Sequence, residues 1–430
     1  MKILHTSDWH LGQNFYNKSR KNEHERFLQW LLEQVTEHNI DAIIVAGDIF
    51  DTSTPPSYAR EMYNKFVVDS NKIGCQLVLL GGNHDSVSVL KETQQLLKYM
   101  GADVIPNTNE EYATQVVELK GKTGDVEALV CAIPFIRPRD VLTSQAGVTG
   151  VERQKQLGDA IKQHYQSVYD AAVAKRATFE NSDNMPIIAT GHLTAMGVKQ
   201  SDSVRDIYVG NLDGFAADGF PNADYIALGH IHRPQVVAKR EYIRYCGSPI
   251  PLSFDELKSQ KQVCVVEFVE GERTISQLAV PTFQPLAEIK GDLNEIESQL
   301  NQYIGVEEGQ NVWLSIEVQA QDYLSDLQER MQALTEGLNV EVLQLRRARE
   351  RRNQGLEQES AETLSELTPM DVFEKRIALE EFETDSEKAR LERMTVKFKQ
   401  VMEEVSYGAD TDSYGADSRE EIEAPKGTGE

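Results

Sequence analysis

The sequence predicts an α/β protein with a layered core, followed by a small second α/β module and C-terminal helices. Three observations carry this. Over residues 1–280, apolar strand-like runs alternate with helical periodicity and Gly-rich turns, the pattern of layered α/β folds. Five of those runs end in a small residue and then Asp, Asn or His: ILHTSDWH, IIVAGDIF, LVLLGGNHD, IIATGH and YIALGHIH. Near Pro281 and Pro285 the pattern breaks, and residues 286–345 read strand, helix, strand, helix, strand.

Taken in order, strands are expected at 2–6, 42–46, 76–80, 128–132, 186–190 and 224–228, and helices at 23–38, 57–72, 87–100 and 152–178. Runs near 235–246 and 262–268 continue the sheet beyond the last motif. LAEIK, DLNEIESQLNQYI, NVWLSIEV, YLSDLQERMQAL and VEVLQL then form the small module, at 285–345. RRARERR at 346–352 opens a Glu/Gln/Ser-rich linker expected over 346–367. A helical region is expected over 368–405, with Thr368 as N-cap and Pro369 at the first helical position. Its apolar residues Met370, Phe373, Ile377 and Leu379 suit either a partner's surface or the chain's own domain. The tail, 406–430, carries SYGAD twice among Gly, Asp, Ser and Glu, and is expected to be disordered.

Composition narrows the class. The 430 residues allow two to four domains, and the hydrophobic (40%) and charged (26%) fractions are those of a globular protein. No apolar run approaches the roughly 18 residues that cross a bilayer. The chain opens with strand-like Lys2–Thr6 rather than a leader, so a cytoplasmic protein is expected. Cys75, Cys131, Cys246 and Cys264 are widely spaced and read as buried free thiols. The net charge of −25 opposes sequence-blind binding to nucleic acid. But acid gathers at the C-terminus, where residues 401–430 hold nine Asp/Glu against two Lys/Arg. A metal site also brings its own positive charge.

The strand-end motifs supply Asp8, His10, Asp48, Asn83, His192, His230 and His232, enough oxygen and imidazole donors for two metal ions. In Asp8-x-His10 and His230-x-His232, period-two geometry puts both side chains on one face. Loops beyond the carboxyl ends of strands are where open α/β sheets build sites, so five such ends can bring all seven donors together. The donor types suit Mn(II), Fe(II) or Zn(II) better than Mg(II). Asp48 is expected to bridge ions about 3.5–4 Å apart, an arrangement that fixes the reaction class as phosphate-ester hydrolysis by activated water. Five of the nine histidines, His10, His84, His192, His230 and His232, fall in these strand-end motifs, while His5, His24, His38 and His164 read as structural or surface residues.

The series D-x-H, G-D, G-N-H-D, G-H and G-H-x-H resembles that of the calcineurin-like metallophosphoesterases over about the first 270 residues. This implies a four-layer fold, a β-sandwich of two mixed sheets flanked by helices. AGDIFDTSTPP, LLGGNHDS, IPFIRPRD, YCGSPIPLSFDE and LTPMDVFEKRIALEEFE resemble one branch, the bacterial SbcD-type nuclease subunits, and extend the likeness to about 400 residues. The resemblance gives Asp8, His10, Asp48 and His232 to one ion and Asp48, Asn83, His192 and His230 to the other. It makes His84 the catalytic residue that binds no metal, with Asp85 orienting it. Archaeal and eukaryotic relatives tend to carry His where this chain has Asp51, and a role for that His does not transfer. The resemblance further implies Mn(II) and a homodimer. It implies a 3′→5′ exonuclease on double-stranded DNA ends, an endonuclease on hairpins and single strands, and a place in DNA repair, recombination and replication. It also implies a coiled-coil ATPase partner of the SbcC type, held by the helices at 368–405, and a module at 285–345 that caps the DNA.

Two rivals are weighed. A phosphomonoesterase or protein phosphatase of the same superfamily would follow its G-D-x-x-D with Arg-Gly and carry GNHE, whereas here Asp51 precedes Thr52-Ser53 and the third motif is GNHD. A non-catalytic scaffold would have lost donors, and none is missing. GKTG at 121–124 is not a phosphate loop, because position 116 is Val rather than Gly, and it reads as a turn between strands. Arg137, Arg139, Lys199, Arg205 and Arg233 could touch DNA phosphates or simply be solvated.

Overall fold

The computed structural model describes residues 1–142, 149–180, 182–205, 214–304, 311–319 and 327–347. Two six-stranded sheets form its centre. In the first, the strand order is Glu272–Ala279, Gln262–Val269, Lys2–Thr6, Ala42–Val45, Gln76–Leu80 and Ala102–Ile105. In the second it is Gln235–Val237, Arg240–Tyr245, Tyr225–Gly229, Ile187–His192, Val126–Cys131 and Val116–Lys120. Lys2–Thr6 to Ala102–Ile105 pair in parallel, as do the four central strands of the second sheet, and antiparallel strands close the edges.

Period-two alternation explains why the strands read as unbroken apolar runs: they are buried on both faces. Ile43 and Val45 enter a core against helices Lys21–Glu37, Ser57–Lys72 and Val87–Tyr99. Ala42 and Ile44 face the other way, against Val130, Ile188 and Ala227 of the second sheet. The outer face of that sheet packs on helix Gly150–Arg176 through Ile161, Tyr165 and Val168. The result is the expected four layers. Each fully buried Leu, Ile or Val contributes roughly 1.5–3 kcal/mol. Helix Gly150–Arg176 starts two residues before its expected position, because Thr149 and Glu152 close a reciprocal capping box.

Residues 286–347 hold a three-stranded parallel sheet, in the order Leu286–Gly291, Val312–Val318, Val340–Arg347. Helices Leu293–Leu300 and Leu327–Thr335 cover one face through Ile296, Leu300, Leu327 and Met331 against Ile289, Leu314 and Ile316. On the opposite face Trp313 stacks on Phe15, with ring centroids 6.0 Å apart, and joins Phe254 in a small apolar cluster. Of the basic run, Arg346 and Arg347 end the last strand, and Arg346 bridges Glu288 (3.0 Å) and Glu317 (3.1 Å). The rest of the linker, the expected helices at 368–405 and the acidic tail at 406–430 lie outside the described residues.

Of the strands in the two six-stranded sheets, Val116–Lys120 is foreseen only as a neighbour of the GKTG turn, and the sequence expectation lacks Ala102–Ile105 and the edge strand Glu272–Ala279. The last is mostly exposed and alternates weakly, so it carries little apolar signal. GKTG forms the turn between antiparallel Val116–Lys120 and Val126–Cys131. All four cysteines are buried and free. Among the described residues, no helix is long and apolar enough to cross a membrane.

Candidate metal centre

The parallel strands of both sheets end on the same edge, and the five motifs follow those ends. Lys2–Thr6 delivers Asp8 and His10, Ala42–Val45 delivers Asp48, and Gln76–Leu80 delivers Asn83 and His84. His192 ends its own strand, and Tyr225–Gly229 delivers His230 and His232. Asp8, His10, Asp48 and His230 have φ of 54°, 48°, 50° and 90°. Such left-handed conformations are uncommon outside glycine and cluster where a chain must aim a side chain.

The motif glycines have a steric reason. A Cβ at Gly47, whose φ is +94°, would run into the His192 ring. A Cβ at Gly82 would strike the Asp48 carboxylate and amide.

Asp8, His10, Asp48, His192, His230 and His232 are all at most 2% exposed. Their donor atoms gather in overlapping groups, within 4.8 Å of one another in each: Asp8, His10 and His232; His10, Asp48 and His84; Asp48, His192 and His230. In one half, His10 Nε2 lies 3.7 Å from Asp48 Oδ2. In the other, Asn83 Oδ1 lies 2.9 Å from His192 Nε2 and 3.1 Å from His230 Nδ1, with Asp48 Oδ2 3.2 Å from His192 Nε2. Asp48 therefore stands between the two halves.

The outer nitrogens are held. His10 Nδ1 meets Asp51 Oδ1 at 3.1 Å, His192 Nδ1 donates to the Ala46 carbonyl at 2.8 Å, and His232 Nδ1 meets Ser203 Oγ at 2.6 Å. Such contacts fix which ring nitrogen stays free for a metal. His10 Nε2 and His230 Nε2 are buried without a hydrogen-bond partner, and two carboxylates are buried beside them. Buried polar atoms without partners are rare and costly, so this donor set fits divalent cations.

The electrostatics agree. Burial opposes charge on His192, but Asp48 overrides it and pushes His192 up to about 9. Burial likewise opposes the charge on Asp48, yet His192 and His10 hold the carboxyl well below its usual range. Burial lowers His84 and His230, and His192 adds to the lowering of His230.

His84 Nδ1 donates to the Asp51 carbonyl at 2.7 Å. This corrects the expectation that Asp85 orients His84. Asp85 accepts from the backbone amides of Ile49 (3.1 Å), Phe50 (2.9 Å) and Gly82 (2.8 Å). Its carboxylate is saturated by amides and ties two motif loops together, so Asp51 orients both His84 and His10.

The remaining candidates divide. Arg137 reaches the Asp85 carbonyl (3.3 Å), Arg205 is near enough to depress His84, and Arg233 pairs with Asp255 (2.6 Å). Arg139 is an exposed surface charge beside Asp140, and Lys199 lines a cleft of about 860 Å³ with Arg233 and Arg346. His5 bonds Tyr225 Oη and the Leu228 carbonyl, and His164 bonds Gln115, as structural residues do. Sequence reasoning gives no role to Ser203 or Glu256, although GSPIPLSFDE marks the second.

Residues 1–234 match the family model of calcineurin-like phosphoesterases, and residues 282–381 match that of the type 5 capsule protein repressor C-terminal domain. The SbcD subunit of nuclease SbcCD from Escherichia coli strain K12 is 51% identical over 395 residues, 92% of this chain and 96% of that protein. The same subunit from Bacillus subtilis strain 168 is 33% identical, over 76% of this chain and 81% of that protein. That of Rhodobacter capsulatus is 30% identical, over 69% and 76%.

Proposed function

The chain belongs to the SbcD family of SbcCD nuclease subunits, within the calcineurin-like phosphoesterases, and on that premise we propose that it hydrolyses DNA phosphodiester bonds at a centre of two divalent ions. It is a metal-dependent nuclease and the SbcD-type member of an SbcCD complex. The observation that supports the site assignment is convergence: seven candidate donors from five strand ends of two sheets come together, six of them buried and Asn83 half-buried.

Asp8, His10 and His232 would hold one ion and Asn83, His192 and His230 the other, with Asp48 shared. Mn(II) suits this mixed set. Such ions, once bound, supply an activated water and offset charge on the phosphoryl oxygens. The protein's own residues do the rest. Asp51 holds His10 and His84 in fixed tautomers, leaving His84 Nε2 free. At neutral pH burial keeps His84 mostly neutral. An incoming phosphodiester anion favours its protonated form, which donates to a phosphoryl oxygen or to the departing 3′-oxygen.

The DNA substrate, the 3′→5′ exonuclease and hairpin endonuclease activities, and the roles in repair, recombination and replication belong to the same reading. So do a cytoplasmic location and an SbcC-type ATPase bound through 368–405. A homodimer would use the early helices, where Leu96 and Tyr99 are 65% and 89% exposed. The test is cleavage of a labelled DNA hairpin with Mn(II), with and without the ATPase. Metal-dependent cutting by wild type and its loss in His84→Ala are expected. Turnover of p-nitrophenyl phosphate far above that of its bis-ester, with the hairpin intact, would overturn the assignment.

A further inference from the structure

The segment GSPIPLSFDE follows the last metal motif and contributes none of the seven donors. Its Glu256 is nevertheless completely buried, next to one of them. Glu256 Oε1 lies 3.3 Å from His232 Nδ1 and accepts from Ser201 Oγ at 2.8 Å and from Ser203 Oγ. Its Oε2 accepts from the Leu252 amide (3.0 Å), Ser248 Oγ (3.3 Å) and Lys261 Nζ (2.5 Å). Lys261 is buried too, and also donates to Ser248 Oγ (2.7 Å) and to the His232 carbonyl (3.0 Å).

A buried ion pair is a poor device for stability, since well-packed apolar residues of similar volume often do as well or better. What this pair does locally is different. Ser203 Oγ donates to Glu256, so the same oxygen accepts the Nδ1 proton of His232 at 2.6 Å. The carboxylate thus pins that proton through the hydroxyl and leaves Nε2 bare. Lys261 grips the backbone of the same histidine, and the Ser248 amide donates to the His232 carbonyl at 3.2 Å. Ring and main chain of His232 are therefore fixed by one network, half of whose residues come from the GSPIPLSFDE segment.

We propose that Glu256, neutralised by Lys261, is the positioning residue of His232, holding its imidazole with Nε2 presented to the ion of the Asp8–His10–His232 half. This rests on the two-ion reading above and extends it by naming what supports one site and not the other. The support of His192, the Ala46 carbonyl, is separate from this network.

The test is Mn(II) titration of the full chain, read by calorimetry and by the paramagnetic resonance of bound Mn(II). The variant Glu256→Gln/Lys261→Met removes both charges together, so no unpaired charge is left buried. Expected are two equivalents in wild type. In the variant, one equivalent is unchanged and one is about 10–100-fold weaker, the usual cost of removing an outer partner of a metal-bound histidine. The coupled two-Mn(II) signal should give way to that of a single ion. Should the double variant not fold, Ser203→Ala breaks the relay at a half-buried hydroxyl and must show the same selective weakening. Two equivalents bound as in wild type by a folded variant would overturn the inference, whatever happened to its melting temperature. Failure of wild type itself to take up two equivalents would instead overturn the two-ion reading on which it rests.

Discussion

Asp48→Asn is the most informative perturbation of the centre. The carboxamide keeps the shape of the side chain and an acceptor for the His84 amide, which now meets Asp48 Oδ1 at 2.9 Å. The charge goes, and with it one of the two acceptor oxygens. Asp48 Oδ2 lies 3.2 Å from His192 Nε2, and at an effective dielectric of about 20 a unit pair at that distance is worth roughly 5 kcal/mol. Burial of His192 offsets part of this. The net result is a histidine raised from 6.5 to about 9, or about 3 kcal/mol. Metal-free wild type therefore carries a proton on His192 at pH 7, and a cation must displace it. The assay is Mn(II) calorimetry at pH 7 in two buffers of different ionisation enthalpy. Wild type should release more proton on binding than Asp48→Asn, which lacks the share that Asp48 holds on His192; the share that Asp51 favours on His10 is common to both. Because Asp48 stands between both groups of donors, both equivalents should weaken together by at least about 100-fold, beyond what loss of an outer partner costs. Tight binding of two equivalents by Asp48→Asn, with proton release unchanged, would refute the shared-carboxylate reasoning.

Other outcomes follow from the same geometry. His84→Ala should lower kcat by about 10²–10⁴ while both Mn(II) equivalents stay bound, and lost occupancy would show that His84 is a ligand. Gly82→Ala drives a methyl group into Asp48, so Mn(II) affinity should fall at both sites, and unchanged affinity would mean that the loop yields. His24 is fully buried, and burial, aided by Arg20, pushes it down to about 3. Below about pH 6.5 the unfolded chain binds a proton that the folded chain refuses, so stability present above 6.5 is lost as pH falls toward 3. In chelator, denaturant unfolding of His24→Leu should lose less stability between pH 6.5 and pH 5 than wild type, by up to about 2 kcal/mol. An equal loss would remove His24 as a source of acid sensitivity.

What is legible in the sequence is whatever burial on two faces writes into it. Lys2–Thr6, Gln76–Leu80 and Ser57–Lys72 lie at their expected residues because apolar runs and helical periodicity are local signals. The seven candidate donors are legible because each lies in a motif at the end of such a run. The supporting contacts are not. Asp85 adjoins His84 in sequence, yet its side chain turns to the amides of Ile49 and Phe50. Glu256 reaches His232 across 24 residues, and no periodicity records that. Glu272–Ala279 escapes notice because an exposed edge strand has no apolar face to display.

The spatial claim is tested most directly by diffraction from crystals grown with Mn(II), with data collected at an energy where manganese scatters anomalously. Two peaks are expected: one within bonding reach of Asp8, His10 and His232, the other of Asn83, His192 and His230, with Asp48 within reach of both. One peak alone, or ions bound away from these seven side chains, would contradict it.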